Sequence, residues 1–264
     1  MKLFRTAVLL AFIVPAGCAT RTQQPATPTS ERNFVPAQER LGLGTSWGEQ
    51  RESWVEPVAF TRTAATRPNG EARIFYNDRE GVDAMLDFLG GASKRCDGLQ
   101  PSAGDRLRVG IRKGNGTWIE CHELRRRRFA VGDSGERYEI TLKNDSRRTV
   151  EAVMSVDGLD VMDGKPASLK KRGYVIAPFQ TISVDGFRTS EATVAAFRFG
   201  SMFDSYGRRR HGNTTNAGVI GIAVFEENRR AAPSDFPIPE DHAWRFTGAR
   251  LAPKRPNFAT PPEA

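Results

Sequence analysis

The decapeptide Val156-Asp157-Gly158-Leu159-Asp160-Val161-Met162-Asp163-Gly164-Lys165 carries three carboxylates and two glycines, the raw material of a calcium loop. An EF-hand loop needs oxygen ligands at positions one, three and five, Gly at six and Glu at twelve. Counted from Asp157, positions three and five are Leu159 and Val161, so that geometry fails. The stretch reads instead as a hairpin: a strand ending at Val156, an Asp-Gly turn, a return over 159–162 and a second Asp-Gly turn. Such turns need positive φ, which Gly adopts freely and Asp tolerates. An irregular metal site on Asp157, Asp160 and Asp163 is the remaining alternative.

A second set of chemically able residues is Cys96, Cys121 and His122. Adjacent residues on a strand point to opposite faces, and no Cys-x-x-Cys spacing is present, which argues against zinc. A Cys96–Cys121 disulfide is the expectation, and closing that loop contributes about 3.5 kcal/mol in the chain-entropy account. Two free thiols are the other option. Gly-x-Ser-x-Gly, His-Glu-x-x-His and the P-loop are all missing from the sequence. Gly42-Leu43-Gly44 is followed by Thr-Ser-Trp-Gly, the wrong glycine spacing for a dinucleotide fingerprint, and reads as a loop. His122, His211 and His242 fall in different segments without motif partners. No catalytic residue, metal ligand or cofactor is therefore assigned.

The third set is basic. A stretch of about twenty residues without structure of its own between two apolar strands is often a binding loop. Here it carries Tyr206, Arg208, Arg209, Arg210, His211 and Asn213, donors and one aromatic face for an anionic or sugar ligand. A solvated connection is the plainer reading. The formal charge of +8 is a moderate excess, mostly arginine, concentrated also at 125–128 and 229–230. It suits anionic polymers. No nucleic-acid-binding motif accompanies it, so nucleic acid is not an expected partner.

Targeting signals frame these sets. Met-Lys-Leu-Phe-Arg, an apolar run over 7–14 and Pro15-Ala16-Gly17-Cys18-Ala19 follow the order of a secretory signal peptide (residues 1–17). The run is too short for a permanent membrane span. Small residues before Cys18 suit bacterial lipoprotein processing, with Cys18 acylated; Pro15, where Leu is usual, leaves ordinary signal cleavage as the alternative. Acylation anchors a chain without spanning the bilayer. Ala19 in place of Asp points to the outer membrane, facing the periplasm or the cell surface. Residues 18–40, rich in Thr, Gln, Pro and Ser, read as a disordered tether with a reach on the order of 25 Å.

The remaining elements follow from periodicity. Residues 41–104 read as an N-terminal portion with a strand at 72–76, a cap at Asn77-Asp78 and a helix over 81–89 with Val82, Met85, Leu86 and Leu89 on one face. Residues 92–95 read as loop. Residues 105–228 alternate with period two: Leu107, Val109 and Ile111; a turn at 113–116 and a return over 118–124; then strands near 138–142, 150–156, 173–177, 180–184 and 194–199. The unbroken run Val219–Phe225 reads as a central strand buried on both faces. A mainly β chain results, an antiparallel β-sandwich, Ig-like or jelly-roll-like, with a small α/β N-terminal portion and disordered termini. Residues 229–264 are Pro-rich and read as an extended tail that docks through Trp244 and Phe246. Whether the part before Leu107 packs on the β domain is left open.

Two groups of motifs carry a resemblance. Gly42-Leu43-Gly44-Thr45-Ser46-Trp47-Gly48-Glu49 and Phe75-Tyr76-Asn77-Asp78-Arg79-Glu80-Gly81 resemble the N-terminal part of an uncharacterised family of exported bacterial proteins, often lipoproteins. Arg137-Tyr138-Glu139-Ile140, Ser155-Val156-Asp157-Gly158-Leu159, Gly173-Tyr174-Val175, Ala195-Ala196-Phe197, Asp204-Ser205-Tyr206 and Gly218-Val219-Ile220-Gly221 follow in the order of that family. The resemblance implies one exported module and no particular activity. The leading expectation is a lipid-anchored envelope module that binds an envelope protein or anionic envelope polymer without catalysis. An envelope hydrolase or transferase, or a structural subunit of an envelope assembly, are the other classes.

Overall fold

Strand and turn chemistry sets the element order. In the computed structural model, which describes residues 42–102, 107–228, 243–246 and 258–262, the strands are β1 (Leu43–Glu52), β2 (Val55–Val58) and β3 (Gly70–Asn77), followed by helix α1 (Arg79–Leu89). Next come β4 (Lys94–Arg95), β5 (Gln100–Ser102), β6 (Leu107–Lys113), β7 (Cys121–Leu124), β8 (Arg127–Val131) and β9 (Arg137–Asn144). They continue with β10 (Val150–Val156), β11 (Leu159–Asp160), β12 (Tyr174–Ile176), β13 (Thr181–Val184), β14 (Gly186–Arg188) and β15 (Thr193–Ser201). A short helix α2 (Tyr206–His211), β16 (Val219–Glu226) and β17 (Ala243–Phe246) complete the order.

The strands form two sheets of a mainly β sandwich. One runs β1-β15-β9-β6-β5, with β13 beside β9 and β14 beside β15; the other runs β2-β17-β12-β10-β16-β3-β8-β7-β4, with β11 beside β10. The first is antiparallel throughout. The second is mixed, because β3 pairs with β8 and β12 with β17 in parallel.

Alternate side chains of both sheets meet in one core. Leu107, Val109 and Ile111 from β6, Tyr138, Ile140 and Leu142 from β9, and Phe197 and Phe199 from β15 face Val150, Ala152, Met154 and Val156 from β10 and Ile220, Ile222 and Val224 from β16. Fully burying side chains of this size stabilises the fold by roughly 1.5–3 kcal/mol each. β16 lies between β10 and β3, the central place its apolar run predicts.

Helix α1 forms where the period changes to 3.6. Asp78 caps it, its carboxylate accepting from the Gly81 N–H at 2.8 Å. Val82 packs with Leu124, Phe129 and Val131, and Phe75, Met85, Leu86 and Leu89 border that cluster on the outer side of the larger sheet. Gly90, at φ 64°, ends the helix.

Several expectations change. Gly42-Leu43-Gly44 is not a loop: Leu43 and Gly44 begin β1, paired with Ser201 and Gly200. The two glycines conceal the alternation there, and a Cβ at Gly44 would meet Ser205 at 2.7 Å, so close packing explains the residue. The return strand after Asp157-Gly158 stops at Asp160 instead of Met162, because the Asp160 carboxylate turns the chain by accepting from the Met162 N–H. Lys94 and Arg95 pair with β7 as the short β4. Residues 243–246 are a sheet strand between β2 and β12 and not a tail docked from outside. β1 and β3 pair with β15 and β16, so residues 42–102 contribute to both sheets alongside residues 107–228. The predicted signal peptide and tether lie outside the described residues.

Candidate functional site

The outer face of the larger sheet is read from its register. β10 turns Glu151, Val153 and Ser155 outward; opposite them on β16 stand Phe225, Ala223 and Gly221, and beyond these on β3 stand Glu71 and Arg73. Successive rows across three strands are therefore Phe225–Glu151, then Glu71–Ala223–Val153, then Arg73–Gly221–Ser155. The row holding Phe75 and Val219 comes next, with Phe75 packed beside α1. In the two middle rows β16 carries only Ala223 and Gly221, and β10 adds Ser155 beside Gly221. They leave a hollow of about 300 Å³ whose lining includes Val153, Ser155, Gly221, Ala223 and the exposed segment Ala167–Leu169.

One wall is fastened by a buried ion cluster. The Glu151 side chain, with no exposed surface, accepts from Arg62 Nε at 2.7 Å, Arg172 Nε at 3.0 Å and the Gly173 N–H at 2.7 Å. Arg62 lies 3.7 Å above the Phe225 ring and donates to the carbonyls of Ala65, Leu169 and Lys171. The planar, fork-shaped guanidinium serves a carboxylate, an aromatic face and three carbonyls together. Segment 167–171 is thereby held beside the hollow.

The rim is polar and mixed in sign. Glu71 and Arg73 approach to 3.7 Å with exposed side chains, and Ser155 and Ser168 supply hydroxyls. Leu169 is exposed at the edge. An apolar floor under a polar rim suits an amphipathic guest.

The three aspartates first singled out are put to separate uses. Asp157, at φ 54° in the hairpin turn, has its carboxylate buried, accepting from the N–H groups of Thr45 (2.6 Å) and Gly218 (2.8 Å) and from the Tyr76 hydroxyl (2.5 Å). Thr45 Oγ1 links Tyr76 to Tyr138 at 2.7 and 2.5 Å. Burial raises the Asp157 pKa to about 6, against the lowering by those donors. Burial and then the Asp157 charge also push the Tyr76 and Tyr138 hydroxyls well above the ordinary tyrosine range. Asp160 is raised to about 7, again by burial first, with Lys171 opposing and Asp163 adding to the rise. Asp163 accepts from Lys171 Nζ at 2.6 Å and from the Lys165 N–H. Among the described residues no three metal-ligating side chains gather.

The predicted disulfide is present: Cys96 and Cys121 are bonded, tying the end of β4 to β7. His122 turns to Glu120, at 2.9 Å, instead of joining the sulfurs. Cys18 and His242 lie outside the described residues.

The basic loop is corrected. It holds α2, a helix of under two turns that the Ser205 side chain caps by accepting from the Arg208 N–H and that Gly212 ends at φ 64°. Tyr206 offers no free aromatic face: it is buried, with ring centroids 4.8 Å from Trp47 and 4.7 Å from Phe187. His211 Nε2 lies 2.8 Å from the Gly164 carbonyl. Asn213 Oδ1 accepts from the Thr215 N–H. Arg208 lies over the exposed Phe203 ring, and Arg209 is exposed while Arg210 is half-buried. Arg210 and His211 lie beside Tyr206, while Arg208 turns to Phe203 and Asn213 to its own turn.

Sequence reading missed the hollow. Its signal is the outward pair Gly221 and Ala223, two small residues at period two inside an apolar strand, matched by Ser155 on the neighbour. Compared with known proteins, the chain matches no family model, no curated protein and no solved structure.

Proposed function

We propose that this chain is an exported envelope module, anchored through acylated Cys18, that binds an envelope protein without catalysing a reaction on it. The observation that carries the reading is the hollow over Val153, Gly221 and Ala223, walled by a segment that Arg62 and Glu151 fasten. Its floor accepts an apolar side chain, and its serines and the Glu71–Arg73 pair meet the polar backbone beside such a chain. The neutral balance of that rim favours a protein segment over an anionic polymer. The order of the first nineteen residues supports the anchor, the lack of Asp at position 19 supports the outer membrane, and the disulfide supports an oxidising compartment.

The test is site-specific photo-crosslinking in cells, with the crosslinker at Arg73 or Leu169 and, as control, at exposed Thr215. Capture of one envelope protein from the first two positions and not the third is expected. The same products from all three would sink the assignment. Cys18→Ser is expected to move the protein from the membrane to the soluble fraction.

A further inference from the structure

A second seat on this molecule is already filled by the chain itself. Residues 258–262 lie against elements distant in sequence. The Phe258 and Trp244 rings are 5.6 Å apart between centroids. Ala259 is buried within the main core and donates its N–H to the Arg188 carbonyl at 2.8 Å. The Thr260 carbonyl accepts from the Tyr206 hydroxyl at 2.8 Å. Gly164 lets the segment in: a Cβ there would stand 2.5 Å from the Tyr206 hydroxyl and 2.9 Å from the Ala259 Cβ.

Each element of this seat is fixed by something other than its occupant. Arg188 is wholly buried, donating to Tyr174, to the Ser53 carbonyl and hydroxyl and to the Ser190 carbonyl. Tyr206 is packed by Trp47 and Phe187. Trp244 is held in β17 between neighbouring strands. The seat meets the N–H of one small residue and the carbonyl of the next, beside a partly buried ring that packs on Trp244. That is recognition of an extended peptide, in which main-chain hydrogen bonds hold and alternate side chains select.

We propose that the cleft between β14, α2, the 163–164 turn and β17 is a binding site for an extended peptide with an aromatic residue followed by a small one, and that residues 258–262 fill it in cis. The reading is independent of the hollow on the outer sheet face. Covalent attachment gives the chain's own segment an effective concentration on the order of millimolar. A free peptide of the same sequence therefore gains the site only when that segment is displaced.

The experiment uses the full chain bearing Ala259→Arg, whose side chain cannot enter beside Gly164, and an acetylated peptide copying residues 257–264. Binding is followed by Trp fluorescence and by calorimetry. Saturable binding to the variant, at least tenfold tighter than to the unmodified chain, is expected, and the same peptide carrying arginine in place of its alanine is expected not to bind. No binding by a variant that still melts cooperatively overturns the proposal, and so does equal binding by both chains. If the variant does not fold, hydrogen exchange on the unmodified chain decides: a protected Ala259 amide supports the seat, and an amide exchanging at the unfolded rate overturns it.

Discussion

Two buried carboxylates stand at opposite ends of β10, and the molecule treats them differently. Glu151 is met by two guanidiniums and a backbone N–H on the outer face. Asp157, just past the other end, is met by two backbone N–H groups and a tyrosine hydroxyl, with no cation among its described partners. The first arrangement balances charge and ties surface segments down. The second ties β1, β3 and the turn before β16 to one point while leaving the carboxylate's charge unopposed, and its pKa rises to about 6. Similar burial thus yields a clamp at one end and a titratable junction at the other.

Glu151→Ala tests the clamp and carries the largest effect. It leaves Arg62 and Arg172 without their carboxylate, and a loss of about 3–5 kcal/mol in urea unfolding is expected. A loss under 1 kcal/mol would mean that the arginines find solvent at no cost and that Glu151 does not organise the wall.

The junction is tested by pH. Asp157 and Asp160 have folded pKa values above their ordinary 3.8, so the folded state holds more protons than the unfolded one. Their contribution is fully present below about pH 4 and is lost as pH rises through about 6 and 7. Glu49, Glu120 and Asp145 are shifted down, and their contribution is lost only as pH falls below the ordinary carboxylate range. Of these five carboxylates, only the two raised ones change charge appreciably between pH 5 and 8. A stability gain of roughly 4 kcal/mol on moving from pH 8 to 5 is expected, about a third of it from Asp157 and the rest from Asp160. Asp157→Asn should remove about a third of that gain and leave the part due to Asp160, and an unchanged slope would remove Asp157 as a source.

Tyr138→Phe is the finest probe. Thr45 Oγ1 keeps its bond to Tyr76 when the Tyr138 hydroxyl is removed, so a cost of about 1 kcal/mol or less is expected. A larger cost would show the tyrosines acting as one cooperative network with Asp157.

The parts legible in the sequence were those where one local rule decides. Alternation placed β6, β9 and β10, the unbroken apolar run placed β16, the 3.6 period with Asp78 and Gly90 placed α1, and Asp157-Gly158 placed the hairpin. Failures came where the deciding partner is remote. Gly42 and Gly44 show no alternation because their small size answers to Asn77 and Ser205. Trp244 belongs to a strand because β2 and β12 flank it, which its Pro-rich surroundings obscure. Tyr206 looked like a ligand platform because its aromatic neighbours, Trp47 and Phe187, are far away in the chain. The hollow needs the registers of β3, β10 and β16 together, and no single strand reveals it.

The pairing of β2 with β17 also sets an order in time. Val55–Val58 is made early, and its sheet partner Ala243–Phe246 is made late. Until the late strand arrives, the β12 edge beside it stays open, a template for pairing with other chains. Long-range pairings of this kind close slowly. A chain interrupted before Ala243 is thus left with an unfinished sheet, so the vulnerable period of this protein's life is the interval between making β12 and making β17.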